Sequence, residues 1–327
     1  MEQLNIDPIL SRFYNTVQSH RIGKGVYCRN TRSGDLSPNA YGCADAANIL
    51  YTMNRFPLDT EERAAHIAAI QSFQDAKTGI FLEPTHSKIH TTAHCTAALE
   101  LFDARPLYPF HELEQHRQTQ GFRSLFEDVD WLHCGRAAHN GAGIYAAFVI
   151  TGAVDARWTD AYFDFLNSHC DPTTGLWVQE PADARFTKLL QIGDAFHFLF
   201  NYTHGKRAFP YPDALIDSCL AAYYNGDMGE TFAQNHGFIQ MDWVYCLNRA
   251  SRETTHRFQE VKSVLYRFAR DYIGFLSADG ADAEEAADDL HHVFGVICCL
   301  AELQLALPNK VYSSVPLRLV LDRRPFI

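Results

Sequence analysis

The sequence predicts an all-α fold, and within that class an (α/α)6 toroid: six helical hairpins in inner and outer layers. Three observations carry this expectation. Six predominantly apolar segments recur about every 50 residues, a second set with ordinary polar faces alternates with them, and one helix-ending phrase is repeated.

The apolar set comprises residues 41–53, 90–102, 138–150, 191–200, 237–247 and 289–300, centred near 46, 96, 145, 195, 243 and 296. Each is apolar around most of its circumference, which marks a helix buried on all sides. The second set, roughly 5–20, 60–75, 112–127, 156–170, 212–225 and 254–277, carries apolar residues at helical spacing on one face only. Pro57, Pro106, Pro109, Pro210 and Pro212 punctuate the returns between the sets. No linker or low-complexity stretch divides the chain, so residues 1–307 are expected to form one domain. Residues 308–327, with Val311, Val315, Leu317, Leu319 and Leu321 alternating, are expected to form an extended tail packed on it. An open helical solenoid is the alternative with similar repeat physics.

The repeated phrase begins Ile70-Gln-Ser-Phe-Gln-Asp-Ala-Lys-Thr-Gly79-Ile-Phe81 and returns as Leu166-Asn-Ser-His-Cys-Asp-Pro-Thr-Thr-Gly175-Leu-Trp177. A blurred copy runs from Leu220 to Gly229. Each joins a helix end to an Asp- or Asn-containing turn and a glycine able to take positive φ. The spacing of Ile70, Gln74, Gly79 and Phe81 resembles the QW repeat of terpenoid cyclases and protein prenyltransferases. The second copy has Cys170 in place of the glutamine, and the third has Tyr224. The Asp171-to-Trp177 phrase is also similar to six-hairpin glycosidases, such as unsaturated uronyl hydrolases, and to sugar 2-epimerases. These resemblances imply the toroid without selecting one family. A prenyltransferase would hold zinc with an Asp-x-Cys pair, whereas Cys43-Ala-Asp45 has the reverse order.

Composition narrows the function classes. A net charge of −11 argues against nucleic-acid or anionic-membrane partners. No apolar run reaches the roughly 20 residues needed to span a bilayer. The first residues lack the basic and apolar regions of a signal peptide, so a cytoplasmic location is expected. Nine cysteines without a CxxC suit reduced thiols in a helical core. Neither a GxGxxG or P-loop phosphate cradle nor a Gly-x-Ser-x-Gly elbow occurs, and no cofactor is expected.

In a toroid the inner-helix N-termini share one rim, the natural place for a small-molecule site. Stepping through the apolar segments by their own period selects Asp45, His94, Asn140, Asp194, Asp242 and Asp289. Capping accounts for polar residues at helix starts, but does not require ionisable ones a turn inside apolar helices. Asp194, Asp242, Asp45, Asp289, His94 and His139 are therefore the candidate catalytic residues, with Asp194 and Asp242 as the first choice for an acid/base pair. Asn140, His90, His197, His236, His291, Trp131, Trp177, Trp243 and Phe81 are candidates for substrate binding. An alternative ligand set is His86, His90 and His94, spaced to place imidazoles along one helical stripe for a metal.

These residue types suit general acid/base chemistry on a carbohydrate-like molecule, whether hydrolysis, elimination or epimerisation. One rival is a terpenoid cyclase or isomerase with Asp288 and Asp289 as proton donor in an aromatic pocket. The other is a non-catalytic helical scaffold. Pocket polarity discriminates between them: inward-facing charges favour sugars, and a dry aromatic cavity favours the cyclase.

Overall fold

The computed structural model describes residues 2–32, 34, 36–127, 129, 134–177, 188–278 and 288–327. The described chain is mostly helical, with only two-residue and three-residue strands. The apolar segments form α2 (Ala40–Thr52), α4 (Lys88–Glu100), α5 (Gly135–Thr151), α7 (Lys188–Gly205), α9 (Phe238–Ala250) and α11 (Leu290–Ala306), between which come α1 (Asp7–Ser19), α3 (Thr60–Gln71), α6 (Ala156–His169), α8 (Pro212–Tyr224) and α10 (Phe258–Ser277). No described helix is long and apolar enough to cross a membrane.

Local chemistry sets many helix starts. Side-chain oxygens of Asn39, Asp59, Ser87, Asp155 and Asp289 accept backbone N–H groups that the first helical turn leaves without an intrahelical partner. Proline in the first turn begins α1 and α8, where its missing N–H costs nothing. In α10, Val261, Val264, Leu265, Phe268, Tyr272 and Leu276 fall on one stripe and are buried. In α2, by contrast, almost every residue is buried.

Packing follows the two classes. Helix α2 packs on α4, α4 on α5, α5 on α7, α7 on α9 and α9 on α11, while α11 packs back on α2. Positions one repeat apart therefore meet: Tyr41 reaches His90 and Asp45 reaches His94, each pair 49 residues apart.

The repeated turns also become explicit. Gly79 (φ 78°) and Gly175 (φ 67°) both adopt left-handed backbone. A Cβ on Gly79 would lie 1.7 Å from the Pro109 carbonyl oxygen, and one on Gly175 would lie 2.6 Å from the Leu215 amide. Each glycine thus lets its turn press against later backbone. Gln74 ties the first turn further: its Nε2 donates to the Gly79 and Tyr108 carbonyls, and its Oε1 accepts the Leu107 and Tyr108 amides. A Cβ on Gly229 in the blurred copy would meet nothing within 4 Å, so its turn is not pressed against later backbone in the same way.

Two expectations need correction. The segment 112–127 forms two 3-10 helices, His111–Arg117 and Gly121–Leu125, instead of one amphipathic helix. His116 folds back to the Gly121 carbonyl through Nδ1 at 3.1 Å, a local bond that competes with helical continuation. The tail is extended only in part. Val311–Tyr312 pairs parallel with Leu4–Asn5, Val320–Arg323 forms a helical turn, and Phe326 and Ile327 are buried. Arg324 is fully buried, donates to Asn48 and lies over the Phe294 ring. The apolar terminus draws the tail inward, and the bond to Asn48 offsets part of the cost of burying the Arg324 charge, where strand alternation alone would leave the tail on the surface. All nine cysteines are buried thiols.

Candidate functional site

The first turns of α4, α5, α7, α9 and α11 contribute to one cavity of about 640 Å³. Its lining includes Arg29, His86, His90, Arg136, His139, Asp194, His197, Asp242, His291 and His292, with Phe196 and Phe238 as its aromatic hydrocarbon rings. The volume suits a small molecule.

One wall is organised by Asp45. The Nε2–H of His94 donates to Asp45 Oδ1 at 2.8 Å, and Nδ1–H of His291 donates to the same oxygen at 3.2 Å. Those bonds fix both tautomers, leaving the His94 Nδ1 and His291 Nε2 lone pairs available. Burial opposes the Asp45 charge, but His291 and His94 outweigh it and hold the carboxyl well below its usual range. Burial pushes His94 down to about 4, against the attraction of Asp45. Asp45 Oδ2 and His94 Nδ1 are buried without hydrogen-bond partners. His291 lines the cavity, so its Nε2 can serve as an oriented base there.

The cavity is also lined by two carboxyls on adjacent helices, Asp194 of α7 and Asp242 of α9. Gly193 allows the approach: a Cβ there would come within 3.1 Å of Asp242 Oδ2. Both residues are buried, and Asp242 Oδ1 has no hydrogen-bond partner. Burial first, and then the charge of Asp194, raises the Asp242 carboxyl well above the usual range. A carboxyl that burial holds protonated, with a second carboxyl beside it, is an arrangement that can separate acid from base.

A third group joins α4, α5 and α7. One ligand-type atom from each of His90, His139 and His197 lies within 4.8 Å of the others. His197 Nδ1–H donates to the Gly193 carbonyl at 2.8 Å, and His90 Nδ1 meets the Tyr41 hydroxyl. His139 and His197 stack with ring centroids 3.8 Å apart. Burial lowers His197 to about 4; burial and then the neighbouring imidazoles, His139 first, lower His90 strongly.

The structure thus brings together Asp45, His94 and His291; Asp194 and Asp242; and His90, His139 and His197. Asn140 also lines the cavity, and its Oδ1 accepts from Ser87 at 2.6 Å. Asp289 has another task. Its side chain caps α11 at the His291 amide and makes a two-pronged ion pair with Arg29, both contacts at 2.9 Å. Asp289 therefore positions Arg29, whose guanidinium lines the cavity and also donates to Thr85.

Several predicted residues lie elsewhere. Phe81, Trp177 and Trp243 are core residues outside the cavity lining. The indole N–H groups of Trp177 and Trp243 are satisfied by the Leu166 and Cys219 carbonyls, and the Phe81 amide donates to Thr92. Their rings fill inter-helix space because aromatic area is worth more to the core than at a polar wall. His236 packs against Phe275 and Phe13 instead of lining the cavity, and burial pushes it down to about 4. Trp131 lies outside the described residues.

The His86, His90 and His94 stripe does not form one ligand set. His86 precedes the Ser87 cap of α4, and Tyr41 stacks on both His86 (4.3 Å) and His94 (4.7 Å). His94 is committed to Asp45, while His90 joins the group containing His139 and His197.

Sequence reading missed Arg29, Arg136, Ser87 and Tyr41. Tyr41 had a signal, since it precedes His90 by the same 49 residues that separate Asp45 from His94. Arg29 lies before the periodic helices and carries no such mark. A search of protein families, curated protein sequences and solved structures found no match to this chain.

Proposed function

We propose that residues 1–307 form an (α/α)6 toroid carrying residues 308–327 as a tail, and that the protein is an enzyme using general acid/base chemistry on a polar, carbohydrate-like molecule. The circular packing order of the apolar helices and their repeat length support the architectural part. The observation carrying the functional part is the Asp194/Asp242 pair in a cavity whose lining also holds several imidazoles and two guanidinium groups beside apolar residues such as Phe196 and Ile239.

Asp242 supplies the proton and Asp194 accepts one, while His291 of the neighbouring α11, held by Asp45, is a second base. Arg29 and Arg136 suit substrate carboxylate or hydroxyl oxygens. This scheme serves hydrolysis by protonating a leaving oxygen, and epimerisation or elimination by moving a proton beside a carbonyl.

The cyclase reading has less support. Asp288 accepts from the Thr31 and Arg32 amides, and Asp289 is paired with Arg29, so both candidate donors are already engaged. A scaffold would favour polar groups satisfied between helices, which Asp242 Oδ1 is not.

Testing requires the purified protein and panels of reducing sugars, uronates and unsaturated uronyl oligosaccharides in deuterated water. Mass and proton spectra would report cleavage, elimination or deuterium exchange. Expected is turnover of one class that Asp194→Asn and Asp242→Asn abolish without unfolding the chain. Full turnover by both variants on an identified substrate sinks the assignment.

A further inference from the structure

The trio His90, His139 and His197 is not needed for the proposed proton transfers, yet three consecutive apolar helices converge to build it. We propose that these histidines bind a divalent first-row transition-metal ion, zinc foremost, leaving a coordination position facing the cavity.

Four features point there. The donor set is nitrogen only, which suits zinc and its neighbours and disfavours magnesium or calcium. One ligand-type atom from each residue already lies within 4.8 Å of the others. A tetrahedral zinc needs nitrogens about 3.3 Å apart, a contraction of about 1.5 Å or less that imidazole rotation can supply. Third, the outer contacts aim the rings. His197 Nδ1–H is held by the Gly193 carbonyl, so its Nε2 lone pair is the available ligand. The Tyr41 hydroxyl can likewise accept Nδ1–H of His90 and free its Nε2. Fourth, all three residues line the cavity together with Asp194, whose charge would offset that of the ion.

The neighbouring trio of Asp45, His94 and His291 satisfies the same proximity requirement but is already committed. Asp45 Oδ1 accepts from both imidazoles, placing protons on the two nitrogens a cation would need. The two trios therefore differ: in one a carboxylate already accepts from both imidazoles, while all three imidazoles of the other line the cavity. At the open position the ion would take water or a substrate oxygen.

The test is equilibrium dialysis of untagged protein against zinc or cobalt(II), followed by elemental analysis and visible spectroscopy of the cobalt form. One equivalent is expected, with cobalt bands diagnostic of low coordination number. His139→Ala and His197→Ala should each weaken binding by about 100-fold or more, while His291→Ala and Asp242→Asn should retain the stoichiometry. If His197→Ala fails to fold, His139→Ala decides alone, because its ring is only half-buried. Wild-type protein that retains neither ion, or folded His139→Ala that retains the same cobalt spectrum, overturns the proposal. Metal content and spectrum are read without turnover, so this site and the acid/base reading can fail separately.

Discussion

Glu302 and Asp242 bury the same chemical group on adjacent helices, with opposite surroundings. Glu302, late in α11, pairs with Arg249, which also reaches Asp322, and Glu302 accepts further from Asn248. Asp242, early in α9, faces another carboxylate and leaves one oxygen without a partner. The same helices therefore present a paired, charged carboxylate at one end and a carboxyl with an unpartnered oxygen at the other. A buried carboxylate that is fully paired supports the fold, whereas one held protonated beside its own kind stores a reactive proton.

The sharpest way to break this contrast is to truncate each group. Glu302→Ala would strand the buried Arg249 charge and should cost about 3–5 kcal/mol in urea denaturation. A loss under about 1 kcal/mol would show that the pairing at that end is not structural. Asp242→Asn should do the reverse, retaining or raising stability while reducing turnover of the identified substrate by about 100-fold or more.

The pH dependence of stability sharpens the comparison further. Folded Asp242 keeps a proton that the unfolded chain releases above about pH 4. Its contribution therefore falls as pH rises from there, and Asp242→Asn should gain on the wild type between pH 4 and pH 8. His66 works in the other direction. It is buried and held down to about 4, whereas its unfolded form takes a proton below about pH 6.5. The advantage of the wild type over His66→Gln should shrink as pH falls from 6.5 towards 4. Urea titrations across that range check both slopes, and equal slopes in wild type and variants would remove the contrast.

The smallest expected effect belongs to a solvent-facing carboxylate. Asp155 is exposed and caps α6 by accepting the Trp158 amide at 3.0 Å. Asp155→Ala should cost about 1 kcal/mol with no change in turnover. A larger loss would mean that ordinary caps, and not only buried pairs, carry stability here.

Much of the fold was legible because it is periodic. Apolar segments about 50 residues apart, and the Gly79 and Gly175 turns, announce themselves through composition and spacing. The 3-10 segment was not legible, because the His116–Gly121 contact is specific to that stretch. In the site, stepping by the period selected Asp45, His94, Asn140, Asp194 and Asp242 along with Asp289, and counted Asp289 among the catalytic candidates. It did not distinguish the capping of α11 by Asp289 from the unpartnered oxygen of Asp242. Nor did it separate wall aromatics from core aromatics, since Trp177 after its turn and Trp243 within its helix look alike along the chain in either place.

By itself the sequence determined which segments are helical, which of them are buried all round, and where ionisable side chains interrupt them, because these are local properties of 3.6-residue geometry. Tertiary structure alone decided which of those side chains face one another. Asp45 meets His291 from 246 residues away, and Asp242 meets Asp194 only because α7 and α9 pack together. Charge state follows from such distances and from the exclusion of water, and neither is written along the chain.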